Sequence, residues 1–125
     1  RNVPRWADEG IAMTAESRRS KRRRVLALRR AVHHGPFYRA ETLMSTKRYP
    51  ERKYIHLYYA QSYALTRFFI ARGGPTRFIA FLQQLRTKGT RKALWDNYRI
   101  GDVATLERLY LAYARSLVRS VAYGG

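Results

Sequence analysis

The sequence predicts an all-α protein, and three observations predict it. Apolar residues recur at helical spacing through most of the 125 residues, and no stretch alternates as a half-buried strand would. Most of the proline and glycine falls between the periodic segments rather than inside them. The architecture expected is a compact, irregular array of five or six helices forming a single domain over residues 1–125.

Each element has a local reason. Pro4 suits the first turn of a helix running to about Glu16, where a missing N–H costs nothing. Ser17 or Ser20 caps a second helix through Val32, stopped by His33-His34-Gly35-Pro36. Residues 36–51 read as an irregular connection holding one short helix around Ala40–Met44. A long helix then spans roughly Lys53 to Arg72 and ends at Gly73-Gly74. Pro75 opens the next, whose Phe78, Ile79, Phe81, Leu82 and Leu85 form a broad apolar face up to Gly89. Thr90 caps a short helix carrying Ala93, Leu94 and Trp95. After Gly101, Asp102 or Thr105 begins the last helix, in which Leu106, Leu109, Tyr110, Tyr113 and Leu117 keep the i, i+3, i+4, i+7 stripe.

Composition narrows the possible functions. The length allows one core but not two, and with 46% apolar residues the chain is not disordered throughout. Ten tyrosines suit a partly wet cleft, since each has an apolar body and a polar tip that needs a partner. The absence of cysteine excludes disulfides, thiolate zinc sites and a cysteine nucleophile, but indicates no localisation. No transmembrane segment is expected, because Arg67 and Arg72 break the longest apolar stretches well short of the roughly 20 residues a span needs. No signal peptide is visible, and because Arg1 is not an initiator residue the gene product is expected to extend upstream.

The formal net charge is +18, from 26 basic and 8 acidic residues. Arg18, Arg19, Lys21, Arg22, Arg23, Arg24, Arg29 and Arg30 lie in one short segment without an acid, and on a helix they would wrap most of the circumference. Val25, Leu26 and Leu28 are left as a narrow docking edge. Such a helix suits non-specific nucleic acid, through the phosphate backbone, or another anionic surface such as lipid. No aromatic is interleaved with the arginines, so base stacking is not signalled. The plainer alternatives are a solvated face, an arginine-rich proteome, or contact with acidic segments elsewhere in the protein.

The segment that carries chemistry is Val3-Pro4-Arg5-Trp6-Ala7-Asp8-Glu9-Gly10-Ile11-Ala12. It resembles the P-x-W-x-x-E-G-x-A helix of gluzincin (peptidase MA-like) zinc metallopeptidases, in which the glutamate is the third metal ligand. A second match is Tyr58-Tyr59-Ala60-Gln61-Ser62-Tyr63-Ala64-Leu65, running on to Phe68-Phe69 and Arg72-Gly73-Gly74. It is similar to the family's Y-x-x-x-x-A-L helix, whose leading tyrosine points into the active site. A third echo is Ile100-Gly101-Asp102 leading to Leu106-Glu107. The resemblance covers nearly the whole chain.

By that resemblance Glu9 is the metal ligand, Asp8 a group behind the metal that orients a histidine, and Tyr59 the donor to the oxyanion at the attacked carbonyl. Tyr58 takes that role if the register slips by one. The competing reading makes Asp8 and Glu9 charges favoured near a helix N-terminus, and Tyr59 a packed core tyrosine. Gln61 and Ser62 read as buried packing groups. The family's H-E-x-x-H pair does not occur in the 125 residues. His33 and His34 are adjacent and His56 is alone, so none reproduces two ligands on one helix face. The expectation is therefore the C-terminal part of a larger domain that completes a zinc site with a missing N-terminal part, and is inactive alone.

Overall fold

The computed structural model describes residues 3–122, with side chains described through Ser120. Among them are seven α-helices: α1 (Arg5–Thr14), α2 (Arg18–His34), α3 (Ala40–Ser45), α4 (Ile55–Ala71), α5 (Gly74–Lys88), α6 (Thr90–Tyr98) and α7 (Val103–Ala122), with a 3-10 turn at Arg52–Tyr54 before α4. The all-α expectation holds. The count exceeds the total of five or six, although each of the seven segments, the short α3 and α6 included, is expected from the sequence as a helix in its own right.

Capping chemistry sets several of the boundaries. The Pro4 carbonyl accepts from the N–H groups of Ala7 and Asp8, so proline stands one residue ahead of α1. Ser17 caps α2 by accepting from the Ser20 N–H at 3.2 Å. Asp102 does the same for α7, accepting from the Thr105 N–H at 2.7 Å. Thr90 is not a cap: Gly89 holds that position at φ 84°, a conformation that glycine adopts without strain, and Thr90 is the first helical residue. α2 also runs two residues beyond Val32, since Gly35, at φ 62°, is what ends it.

α4 is the axle of the array, packing on α1, α2, α5 and α7. Its residues from Tyr58 to Phe69 are buried apart from the half-buried Tyr59 and the exposed Arg67, as expected of a helix with neighbours on most sides. Burial of Gln61 is possible because its amide is fully used. It accepts from the Tyr38 N–H at 2.7 Å and donates to the Tyr38 carbonyl and the Tyr110 hydroxyl, while Tyr110 donates back to the Gln61 carbonyl. Trp6 of α1 enters an aromatic cluster with Phe69 and Phe78, centroids about 6 Å away, and Phe69 continues it to Phe81 and Tyr98. The remote contact least visible in the sequence is Glu107. Its carboxylate accepts from the N–H groups of Ala40 and Glu41 at 2.8 and 3.0 Å, fastening the start of α3 to α7.

Candidate functional site

The α1–α4 packing determines where the motif residues go. Trp6, Gly10 and Met13 form the buried face of α1 at i, i+4, i+7. Gly10 is there because α4 leaves no room: a Cβ would meet the Thr66 hydroxyl and, at 2.6 Å, the Ser62 carbonyl oxygen. That close approach leaves Asp8 and Glu9 at the edge of the contact. Both line an open cleft of about 540 Å³, with Arg5, Met44, Lys47 and Tyr49 on its other walls. Glu9 is half-buried and Asp8 exposed.

Glu9 is held from a distant segment. The Tyr49 hydroxyl donates to its Oε1 at 3.1 Å. The Arg5 guanidinium lies 4.2 Å from the centroid of the Tyr49 ring and donates through Nε to the Lys47 carbonyl, which ties the 46–49 segment to the start of α1. The edge of Tyr49 meets the buried ring of Tyr58 at 6.2 Å, and Tyr58 neighbours Tyr59 at the same spacing.

The two tyrosines of α4 have different fates. Tyr58 is 1% exposed and its hydroxyl has no hydrogen-bond partner. Burial pushes it up to about 12, partly opposed by Arg5, and Glu9 adds to the rise; the Ser62 hydroxyl is a near neighbour but makes no hydrogen bond itself. Tyr59 is half-buried, and its hydroxyl is also raised, by desolvation first and then by the Glu9 carboxylate and Tyr49. The structure thus brings Glu9 and Tyr59 into electrostatic range of each other, with Tyr58 behind them in the core. Arg24 lies over the Tyr59 ring at 5.5 Å and is anchored there by two hydrogen bonds to Glu16, at 3.0 and 3.2 Å.

The basic segment does not wrap its helix. Arg18, Arg19, Arg22, Arg23, Arg29 and Arg30 are exposed, and at 100° per residue they share an arc of about 140°. Lys21 is partly buried and Arg24 is turned inward to Glu16. The docking edge is Val25, Leu28 and Ala31, while Leu26 is only half-buried among the arginines.

A family model described as the Peptidase MA superfamily matches residues 1–116. The chain belongs to the peptidase MA superfamily. No curated protein and no solved structure matches the chain. Zinc is the metal associated with this superfamily, so the donor set matters. Among the described residues no group of three or more His, Cys, Asp or Glu side chains gathers as a metal centre would. His33, His34 and His56 are all exposed and join no such group with Glu9. Glu9 stands at an open cleft, but the described residues assemble no whole metal centre around it.

Sequence reasoning missed Tyr49, Arg5 and Glu16. Tyr49 and Glu9 are separated by 40 positions, and no local pattern links them. Arg5 did stand inside the motif, at a position the motif leaves open.

Proposed function

We propose that this chain contributes one zinc ligand, Glu9, and one oxyanion donor, Tyr59, to a site that hydrolyses peptide bonds. The remaining ligands, a histidine pair, would come from outside residues 1–125, and the chain is inactive alone. The observation that supports the reading is that Glu9 lines an open cleft while Tyr59, on the helix packed against α1, is near enough for the Glu9 carboxylate to raise its hydroxyl.

Bound zinc supplies a water whose pKa falls to about 7. The chain's own residues do the rest. Tyr49 orients the Glu9 carboxylate by donating to Oε1. Asp8, on the wall of the same cleft, orients a histidine ligand. Tyr59 stays protonated at neutral pH, because desolvation and Glu9 both raise its pKa, and so its hydroxyl remains a donor to the oxygen that gains charge at the attacked carbonyl. The buried Tyr58 ring packs against Tyr49 and Tyr59 and takes no part in the chemistry.

The test begins with the coding sequence upstream of Arg1, which must contain H-E-x-x-H. In protein carrying that pair, metal analysis should find one zinc per chain, and Glu9→Gln should lose it while circular dichroism stays helical. An absent pair, or zinc retained in Glu9→Gln, would overturn the assignment. The 125-residue chain alone should show no tight stoichiometric zinc in equilibrium dialysis.

A further inference from the structure

A second groove, of about 420 Å³, lies between α2, α4 and α7, and it is built unlike the cleft at Glu9. Its floor is apolar, made by Val25, Tyr63 and Leu117. Its rim is cationic, made by Arg18, Arg19, Lys21, Arg22 and Arg67, and none of the described residues lining it is acidic. Arg67 is fixed at the rim by donating to the Tyr63 hydroxyl at 3.1 Å, which leaves its charge in place beside the apolar floor. The same α2 face continues outward through Arg29 and Arg30. Beyond it, a smaller opening between α2 and α7 is lined by Val32, His33, Val118, Arg115 and Arg119, again without an acid among its described lining residues.

We infer that this face docks the protein onto a bilayer containing anionic phospholipid, with headgroup phosphates on the arginine rim and hydrocarbon of the lipid against the apolar floor. Charge complementarity commits the face to an anion, and the floor commits it to an amphiphile. A phosphate backbone would use the cations and leave the apolar interior of the groove unfilled. The exposed large aromatics on which bases could stack, Tyr49 and Trp95, do not line this groove. Basic residues near an anionic bilayer each contribute about fivefold to partitioning, so a cluster of five is enough for binding that disappears at high salt.

The experiment is co-sedimentation of the protein with vesicles of phosphatidylcholine alone and of phosphatidylcholine mixed equally with phosphatidylglycerol. Binding is expected to the mixed vesicles only. Replacing Arg18, Arg19 and Arg22 together by Gln should weaken it roughly a hundredfold, at about fivefold for each arginine. All three are exposed, so the fold survives the change. Replacing Arg86, Lys88 and Arg91 by Gln removes the same charge from exposed positions of the α5–α6 region and should leave most of the binding intact. Equal losses in the two triple variants would reduce the effect to diffuse net charge and overturn the inference. So would failure to bind the mixed vesicles, including the case in which duplex DNA is bound instead and released by the Arg18, Arg19 and Arg22 changes.

Discussion

The Tyr49 hydroxyl donates to Glu9 Oε1 across 3.1 Å, although the two residues lie in segments with no local relation in sequence. One hydrogen bond from a residue outside any helix would orient a carboxylate poorly. Tyr49 is therefore secured twice more, by the Arg5 guanidinium over its ring and by the buried Tyr58 ring at its edge. Tyr49→Phe keeps both ring contacts and removes only the donor. In protein carrying the full ligand set, zinc affinity should fall about 10- to 100-fold, the usual cost of losing a group that orients a ligand. Competition with a chelator of known affinity measures it; an unchanged affinity would mean the hydroxyl merely satisfies a surface carboxylate.

Tyr59 and Tyr58 separate the two registers of the α4 motif. An oxyanion donor acts chiefly in the transition state, so Tyr59→Phe in an active form should lower kcat about a hundredfold or more with little change in KM. Tyr58→Phe should leave kcat near its starting value, because the ring is what the core uses and the hydroxyl has no partner to lose. The reverse pattern in steady-state kinetics would move the role to Tyr58.

Gly10→Ala tests the packing that puts Glu9 at the cleft. Alanine is favoured over glycine inside a helix by about 1 kcal/mol. Here the added carbon would strike the Ser62 carbonyl oxygen, which belongs to the α4 backbone and cannot swing away as a side chain can. Overpacking of this kind costs about 1–3 kcal/mol or more, so the clash should win and the urea midpoint should fall. Thr66→Ala in the same background relieves only the hydroxyl contact and should restore part of the loss. A Gly10→Ala protein as stable as the parent would show that α1 can step back from α4.

How much of this was legible in the sequence depends on the range of each interaction. Helix boundaries were legible wherever a cap is local, as at Ser17, Gly35 and Asp102, and were misread at Thr90, where Gly89 competes for the same place. Within the α1 motif, Trp6 and Gly10 are the conspicuous letters, and both turn out to be packing residues. Glu9 was legible only through resemblance to a known family, because a half-buried glutamate on a short helix has no distinguishing periodicity. Its support by Tyr49 was not legible, nor was the hold of Glu107 on α3, since both join segments far apart in the chain. The arginine run was legible as charge but not as shape. Which of its members face solvent depends on how α2 seats against α4 and α7, and Glu16 withdraws Arg24 from the set.

Alkaline pH tests the core through Tyr110. This tyrosine is fully buried, and desolvation raises its hydroxyl well above the ordinary value near 10, opposed in part by Gln61. Desolvation likewise raises Tyr98, whose hydroxyl has no hydrogen-bond partner. A folded-state pKa above the unfolded one means that the unfolded chain gives up the proton first. The contribution of these two groups to stability is then flat below about pH 10 and falls as pH rises beyond it, as the unfolded state alone ionises. Tyr110→Phe removes one such group, so its stability should fall less steeply above that pH, even though it starts lower. The lower start follows because Gln61 loses a partner on Nε2 and on its carbonyl, a cost of about 1–3 kcal/mol for a buried polar group left unsatisfied. Urea titrations of both proteins at neutral and alkaline pH should therefore show stability curves that converge as pH rises; parallel curves would mean that Tyr110 ionises as readily in the fold as out of it.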